Sequence, residues 1–213
     1  MDSVLVTTAK ADEQEMLRQF LRRCSDLCPT HDLSRTTQKK LVTELKTLDI
    51  ARCSFQLPKK VELRTPAYSS EVFQNERIHC CIFGFRKRND FLPFHDHPEM
   101  YGFIRALRGK IRIEAHSWMN NEDLTVRCEA SMVLEGDKVA VVGPHIGNVH
   151  QITALTDDAA FFDLLVPGYV GNRDCNYYRE RERSRKDGTC QLEEIYVDYG
   201  FMAAHTGNQI LRI

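Results

Sequence analysis

Two histidines one residue apart, His95 and His97, stand between Phe94 and Pro98. In extended backbone alternate side chains leave the same face, so both imidazoles can be aimed at one point while Asp96 faces away. Neutral imidazole binds Fe, Cu and Zn alike. A His-x-His pair recurs by chance, so its meaning depends on a third ligand. Two later histidines compete for that place. His150 heads the apolar run Val149-His150-Gln151-Ile152, and His145 lies in the turn before it, five positions away and unable to share its strand face. His150 is the better candidate, because a strand holds a ligand more firmly than a loop does. Three imidazoles without a carboxylate leave positions open on an octahedral ion for a two-pointed substrate and O2. Zinc with one bound water, the centre of a hydrolase or lyase, fits the same donors.

The segments that must position these residues change character near residue 55. Before it, Leu17, Phe20, Leu21, Cys24 and Leu27 recur at helical spacing, with Glu13 and Glu15 placed where a helix start favours acids. After a break at Pro29 and Asp32, Thr36 or Thr37 is expected to cap a second helix carrying Leu41, Val42, Leu45 and Leu48. Residues 1–54 thus read as a helical segment packing an apolar stripe on the main domain, residues 55–213. There, short apolar runs at 77–85, 91–94, 102–107, 110–118, 124–128, 138–142, 149–155, 159–166 and 193–199 alternate with turn residues such as Arg108-Gly109 and Glu135-Gly136. In one of them Ile111, Ile113 and Ala115 alternate with Arg112, Glu114 and His116, the period of a half-buried strand. Many short strands with no helix between them predict an antiparallel sandwich or barrel. The charged stretch 179–186 reads as a solvated loop.

Whole-chain numbers narrow the setting. At 213 residues, 42% of them hydrophobic, the chain can bury a real core. A formal charge of -1 gives no electrostatic reason for a nucleic-acid or membrane partner. No run approaches transmembrane length and the polar start is unlike a signal peptide, so a soluble cytoplasmic monomer, with the nucleus also open to it, is expected. Without a secretory context the eight cysteines are read as reduced, and Cys24 and Cys28 as buried thiols on one helix face.

The histidines also sit in a wider pattern. Small barrels of the cupin class carry His-x-His, then a Glu, then a Gly; here Gly109 falls at the usual distance, but Gly102 occupies the place of the Glu. Beyond that, His95-Asp96-His97-Pro98-x-Met100-x-Gly102, Leu107-x-Gly109, Asn148-x-His150-Gln151, Phe162-Asp163-x-Leu165-x-Pro167-x-Tyr169 and Arg173-Asp174-Cys175-x-Tyr177-Tyr178 appear in order. Together they resemble the thiol dioxygenases that include 2-aminoethanethiol (cysteamine) dioxygenase and the plant cysteine oxidases, over roughly residues 55–200.

The resemblance implies a mainly β, cupin-type double-stranded β-barrel (jelly roll) with an N-terminal helical segment. It implies Fe(2+) on His95, His97 and His150, and oxidation by O2 of a small aminothiol, or of the N-terminal cysteine of a peptide or protein, to a sulfinic acid. In the family that oxidation feeds the arginine branch of N-degron degradation. Asp163 and Tyr169 match positions lining the active site, suited to the substrate amine or the oxygen. Cys175 and Tyr177 match a pair that in some animal members forms a thioether cross-link; the plainer reading is a buried thiol beside a packed tyrosine. Asp163 read plainly is a carboxylate tied to backbone amides or to Arg173. The chain departs from the pattern at Glu99, where a small residue is common, at Pro167-Gly168-Tyr169, where a double proline is usual and whose glycine implies a looser loop, at Asn176, and in the tail around Gly207.

Two other readings stand beside this one. A zinc- or manganese-dependent cupin enzyme is disfavoured by the missing Glu at Gly102, and a metal-free binding module by the intact histidine set. His31, His79, His116 and His205 are read as packing or surface residues.

Overall fold

The computed structural model describes residues 2–29, 32–49, 66–169, 174–183, 188–197 and 202–204. Two helices, α1 (Asp2–Asp26) and α2 (Arg35–Thr47), precede twelve strands. These are β1 (Ala67–Gln74), β2 (His79–Phe85), β3 (Phe91–His95), β4 (Tyr101–Arg108), β5 (Ile111–Asn120), β6 (Thr125–Leu134), β7 (Val139–Val142), β8 (Val149–Ala154), β9 (Ala160–Val166), β10 (Tyr177–Arg183), β11 (Thr189–Ile195) and β12 (Met202–Ala204).

Leu17, Phe20, Leu21 and Cys24 are buried as their spacing predicts, Leu27 is half-buried, and Cys28 is buried with Cys24. The helix begins earlier than the acids suggest, however. Glu13 and Glu15 lie well inside α1, and Glu15 instead faces Arg18 and Arg22 at 3.7 and 3.3 Å on the solvent side. The cap of α2 is Ser34 rather than Thr36 or Thr37: Thr37 N–H donates to Ser34 Oγ at 3.1 Å, the N-cap bond that satisfies an orphan helix donor. At the other end the buried Arg105 of β4 donates to the carbonyls of Leu45 and Leu48 at the helix end and so anchors α2 to the sheet.

The strands build the expected cupin-type double-stranded barrel. One sheet has the order β12-β1-β2-β9-β4-β7, antiparallel except for β1 beside β12; the other six, β10-β11-β6-β5-β8-β3, close on themselves through β3 and β10. Phe20, Leu21, Leu41 and Leu45 from the helices pack with Tyr68, Phe103, Phe162 and Leu164 on the outer face of the first sheet. Phe85, Ile104, Ile113, Ile152 and Phe161 fill the interior. β9, covered on both faces, is buried at every position, and Asp163 is its sole ionisable residue, on the interior face with Phe161.

Three strands run against the sequence expectation. The stretch read as a solvated loop at 179–186 belongs through residue 183 to β10, and Arg179 forks onto Glu193 of β11 across the ladder at 2.9 and 3.1 Å. β11 accordingly begins at Thr189, ahead of the run expected at 193–199. β1 carries no alternating apolar signal, because a bulge between Glu71 and Phe73 breaks its period. None of the seven described cysteines is in a disulfide. No helix among the described residues is long and apolar enough to cross a membrane.

Candidate metal centre

His95 is the last residue of β3 and lies opposite His150 of β8 in the ladder. His97 lies two residues beyond the strand end, so strand alternation alone does not aim it. Asn148 Nδ2 donates to the His97 carbonyl at 3.0 Å, holding the turn against β8. The three buried rings converge, with centroids 4.3 Å apart for His95–His150, 5.0 Å for His95–His97 and 5.3 Å for His97–His150. A ligand atom from each lies within 4.8 Å of the others. His145, the competing third ligand, is exposed in its loop and takes no part.

The outward nitrogens are engaged. His95 Nδ1 donates to the Pro93 carbonyl at 2.9 Å and His150 Nδ1 to the Asn148 carbonyl at 3.1 Å, since a carbonyl only accepts. That fixes the proton on Nδ1 and leaves the Nε2 lone pair bare. His97 Nδ1 lies 2.6 Å from the Tyr169 hydroxyl. The Nε2 atoms of His97 and His150 are buried with no hydrogen-bond partner among the described residues. Orphaned acceptors facing one another in a dry interior are costly unless something fills the space between them, and a cation on three neutral imidazoles does so. Burial holds the His95 imidazole down to about 4; burial and then the neighbouring histidines hold His97 well below its ordinary value, and His150 follows the same causes. All three are therefore neutral at pH 7, the form that binds metal.

Asp96 does face away, and it has work there. Its buried carboxylate accepts from Asn176 N–H at 3.1 Å, Asn176 Nδ2 at 3.2 Å and Tyr178 Oη at 3.1 Å, while Asp96 N–H donates to the Asn176 carbonyl at 3.1 Å. This strap lays the start of β10 against the ligand segment and places Tyr177 opposite His95, ring centroids 5.9 Å apart. The half-buried Cys175 thiol lies beside Tyr177 and Tyr169; burial pushes it up to about 12, so it stays protonated. Burial likewise raises both tyrosines.

Asp163 Oδ1 is buried with no partner among the described residues, and burial raises its carboxyl to about 7. Arg173, the plain reading's partner for it, lies outside the described residues, as do His31 and His205. A Cβ built on Gly102 would meet Val142 Cγ2 at 2.8 Å and Asp163 Oδ1 at 3.7 Å. Gly102 is therefore a close-packing position against Val142, and a fourth-ligand Glu does not fit there unless Val142 gives way. Gly168 is set by a close approach as well: a Cβ on it would stand 2.2 Å from the Asn75 carbonyl oxygen, so this residue is a packing requirement of the Tyr169 loop. Glu99 is exposed with a φ of 60°, the left-handed region that a small residue occupies at least cost.

Sequence reasoning passed over Glu71 and Gln74 and read His79 only as a packing or surface residue. His79 is buried, but its Nε2 lies 3.1 Å from Glu71 Oε2 and 3.3 Å from Cys81 Sγ, and its ring meets that of Tyr169 at 5.4 Å. Its alternation with Cys81 on β2 was the available signal. Nothing in the spacing links it to Tyr169, ninety residues on. His116 is packing, as expected, stacked on Phe94 at 4.7 Å.

A family model, PCO_ADO, matches residues 27–206. A probable 2-aminoethanethiol dioxygenase of Dictyostelium discoideum is 28% identical over 181 residues, covering 77% of this chain and 81% of that protein. Plant cysteine oxidase 2 of Arabidopsis thaliana is 26% identical over 151 residues, 62% of this chain and 51% of that protein. Among solved structures, an oxalate oxidase with glycolate bound aligns at a TM-score of 0.45 and 10% identity, covering 58% of this chain and 60% of that one.

Proposed function

We propose that this chain, which belongs to the PCO_ADO family, is an Fe(II)-dependent thiol dioxygenase that uses O2 to oxidise the thiol of cysteamine, or of an N-terminal cysteine, to a sulfinic acid. The observation that carries the reading is the buried three-histidine face: every outward nitrogen is engaged, and among the described residues two inward nitrogens have no partner and no carboxylate belongs to the set. Names among the relatives support the substrate class, one being a probable 2-aminoethanethiol dioxygenase and another a plant cysteine oxidase. Iron bound to such a face supplies the one-electron chemistry that O2 requires and acidifies a thiol that reaches it.

The chain's own residues do the rest. His95, His97 and His150 hold the ion, with Pro93, Asn148 and Tyr169 fixing the ring orientations from behind. Asp163 offers an oxygen with no partner among the described residues, so a substrate ammonium placed beside it gains a counter-ion and gives the carboxyl a partner. Tyr169 presents a protonated hydroxyl beside His97, where it would serve as a proton donor at the site. Tyr177 lies opposite His95 with the Cys175 thiol near it, the proximity that a thioether between them needs. A cytoplasmic protein of this activity would oxidise Cys-initiated proteins and commit them to the arginine branch of N-degron degradation.

The test is to load the purified protein with Fe(II), incubate it in air with cysteamine and separately with a Cys-initiated peptide, and look by mass spectrometry for two added oxygen atoms. Gain by either substrate supports the reading and separates small-thiol from peptide activity. Gain by neither refutes it.

A further inference from the structure

Tyr169 follows β9 in irregular backbone, so neighbouring elements must set where its hydroxyl lies. The hairpin of β1 and β2 supplies them. Gln74 Nε2 donates to the Tyr169 carbonyl at 3.1 Å. The His79 ring meets the Tyr169 ring edge-to-face at 5.4 Å with an interplanar angle of 74°. His79 is in turn held by Glu71: a carboxylate only accepts, so His79 Nε2–H donates to Oε2 at 3.1 Å and fixes both tautomer and ring orientation.

The bulge in β1 makes this arrangement. In regular strand Glu71 and Gln74, three apart, would point to opposite faces. With the register shifted between Glu71 and Phe73, the extra residue lets both Val72 and Phe73 pack toward the helices, while Glu71 and Gln74 both address the site. Glu71 therefore marks the partly exposed start of a chain of contacts that runs through His79 and the Tyr169 ring to the Tyr169 hydroxyl and His97 Nδ1.

We infer that Glu71 and His79 are positioning residues for Tyr169 and, through it, for the metal ligand His97. They touch neither the ligand atoms nor the space between them. Their effect is to hold the Tyr169 hydroxyl where it fixes the His97 ring, the kind of outer contact whose loss weakens metal binding without removing a ligand. The inference rests on the reading of the three histidines as a metal site.

The experiment titrates Co(II), whose visible spectrum reports its coordination, into metal-free protein against a competing chelator. Glu71→Leu and His79→Leu should each weaken Co(II) binding about tenfold, the lower end of what loss of an outer-sphere contact does. Glu71→Gln, whose carbonyl still accepts from His79, should bind like the wild type. In a Tyr169→Phe background His79→Leu should have no further effect, because the hydroxyl it positions is gone. A tie that merely staples β1 to β2 would give the same loss with or without the hydroxyl, and that additivity would overturn the inference. So would unchanged Co(II) affinity in Glu71→Leu, a substitution at a partly exposed position that the fold tolerates. If the wild type takes up no Co(II), the metal-site reading itself falls; if it binds while the variants match it, only the positioning role does.

Discussion

Asp163→Asn should make the metal-free protein more stable and the enzyme worse. The Asp163 carboxyl is 2% exposed, its Oδ1 has no partner among the described residues, and burial raises it from 3.8 to about 7. At about 1.4 kcal/mol per pKa unit this is a preference of about 4 kcal/mol for the neutral acid. Below pH 3.8 the group is neutral in folded and unfolded chains, and the substitution changes little. As pH rises toward 7 the unfolded chain ionises while the folded one holds its proton, so the folded state loses stability over that window and above it bears the whole cost. Asparagine has the shape of the neutral acid without the ionisation. In urea unfolding of chelator-treated protein, the Asp163→Asn midpoint should match the wild type near pH 4 and exceed it by about 2 M at pH 8, for a slope of about 2 kcal/mol per M. The same variant lacks the counter-ion for a substrate ammonium, so its kcat/KM should fall with stability intact, the trade expected where a destabilised group serves function. A midpoint change independent of pH, or a loss at pH 8, would refute the reasoning.

Other perturbations test separate parts of the site. His150→Ala should abolish retention of iron, measured by metal analysis after gel filtration, whereas His145→Ala, at an exposed loop position, should not; the reverse would show that the wrong third ligand was chosen. Asp96→Ala leaves the Asn176 and Tyr178 donors without their buried acceptor and should cost about 3 kcal/mol in urea unfolding. A loss below 1 kcal/mol would mean that the strap under β10 carries little weight. Gly168→Ala drives a methyl group into the Asn75 carbonyl and should cost about 1–3 kcal/mol with a larger loss of activity, because the shift falls on the Tyr169 loop.

The parts of this molecule that were legible in the sequence are those where one local signal decides the outcome. The α1 stripe from Leu17 to Cys24, the alternation of Ile111, Ile113 and Ala115, and the apolar run around Phe161–Phe162 each report burial directly, and each lies where expected. The charges of β10 hid a strand, because Arg179 and Glu193 answer each other across the ladder and no sequence window contains both. Ser34 displaced the expected cap because it stands three residues before Thr37, whose amide it takes. At the site, His95 and His150 were readable from strand context. The placement of His97 beyond the strand depends on Asn148, and the role of Tyr169 on Gln74 and His79, contacts made across the barrel. Glu71 was invisible for a further reason: the bulge that re-aims it interrupts the period by which strands are recognised.

The most direct test of the three-histidine face as a thiol dioxygenase site uses isotopically labelled O2. Fe(II)-loaded protein is given cysteamine and a Cys-initiated peptide under labelled gas, and the sulfinic product is weighed. The expected product carries two labelled oxygen atoms, and none forms with His95→Ala or His150→Ala protein. A product labelled at one oxygen or at neither, or turnover that survives loss of either histidine, would contradict the account.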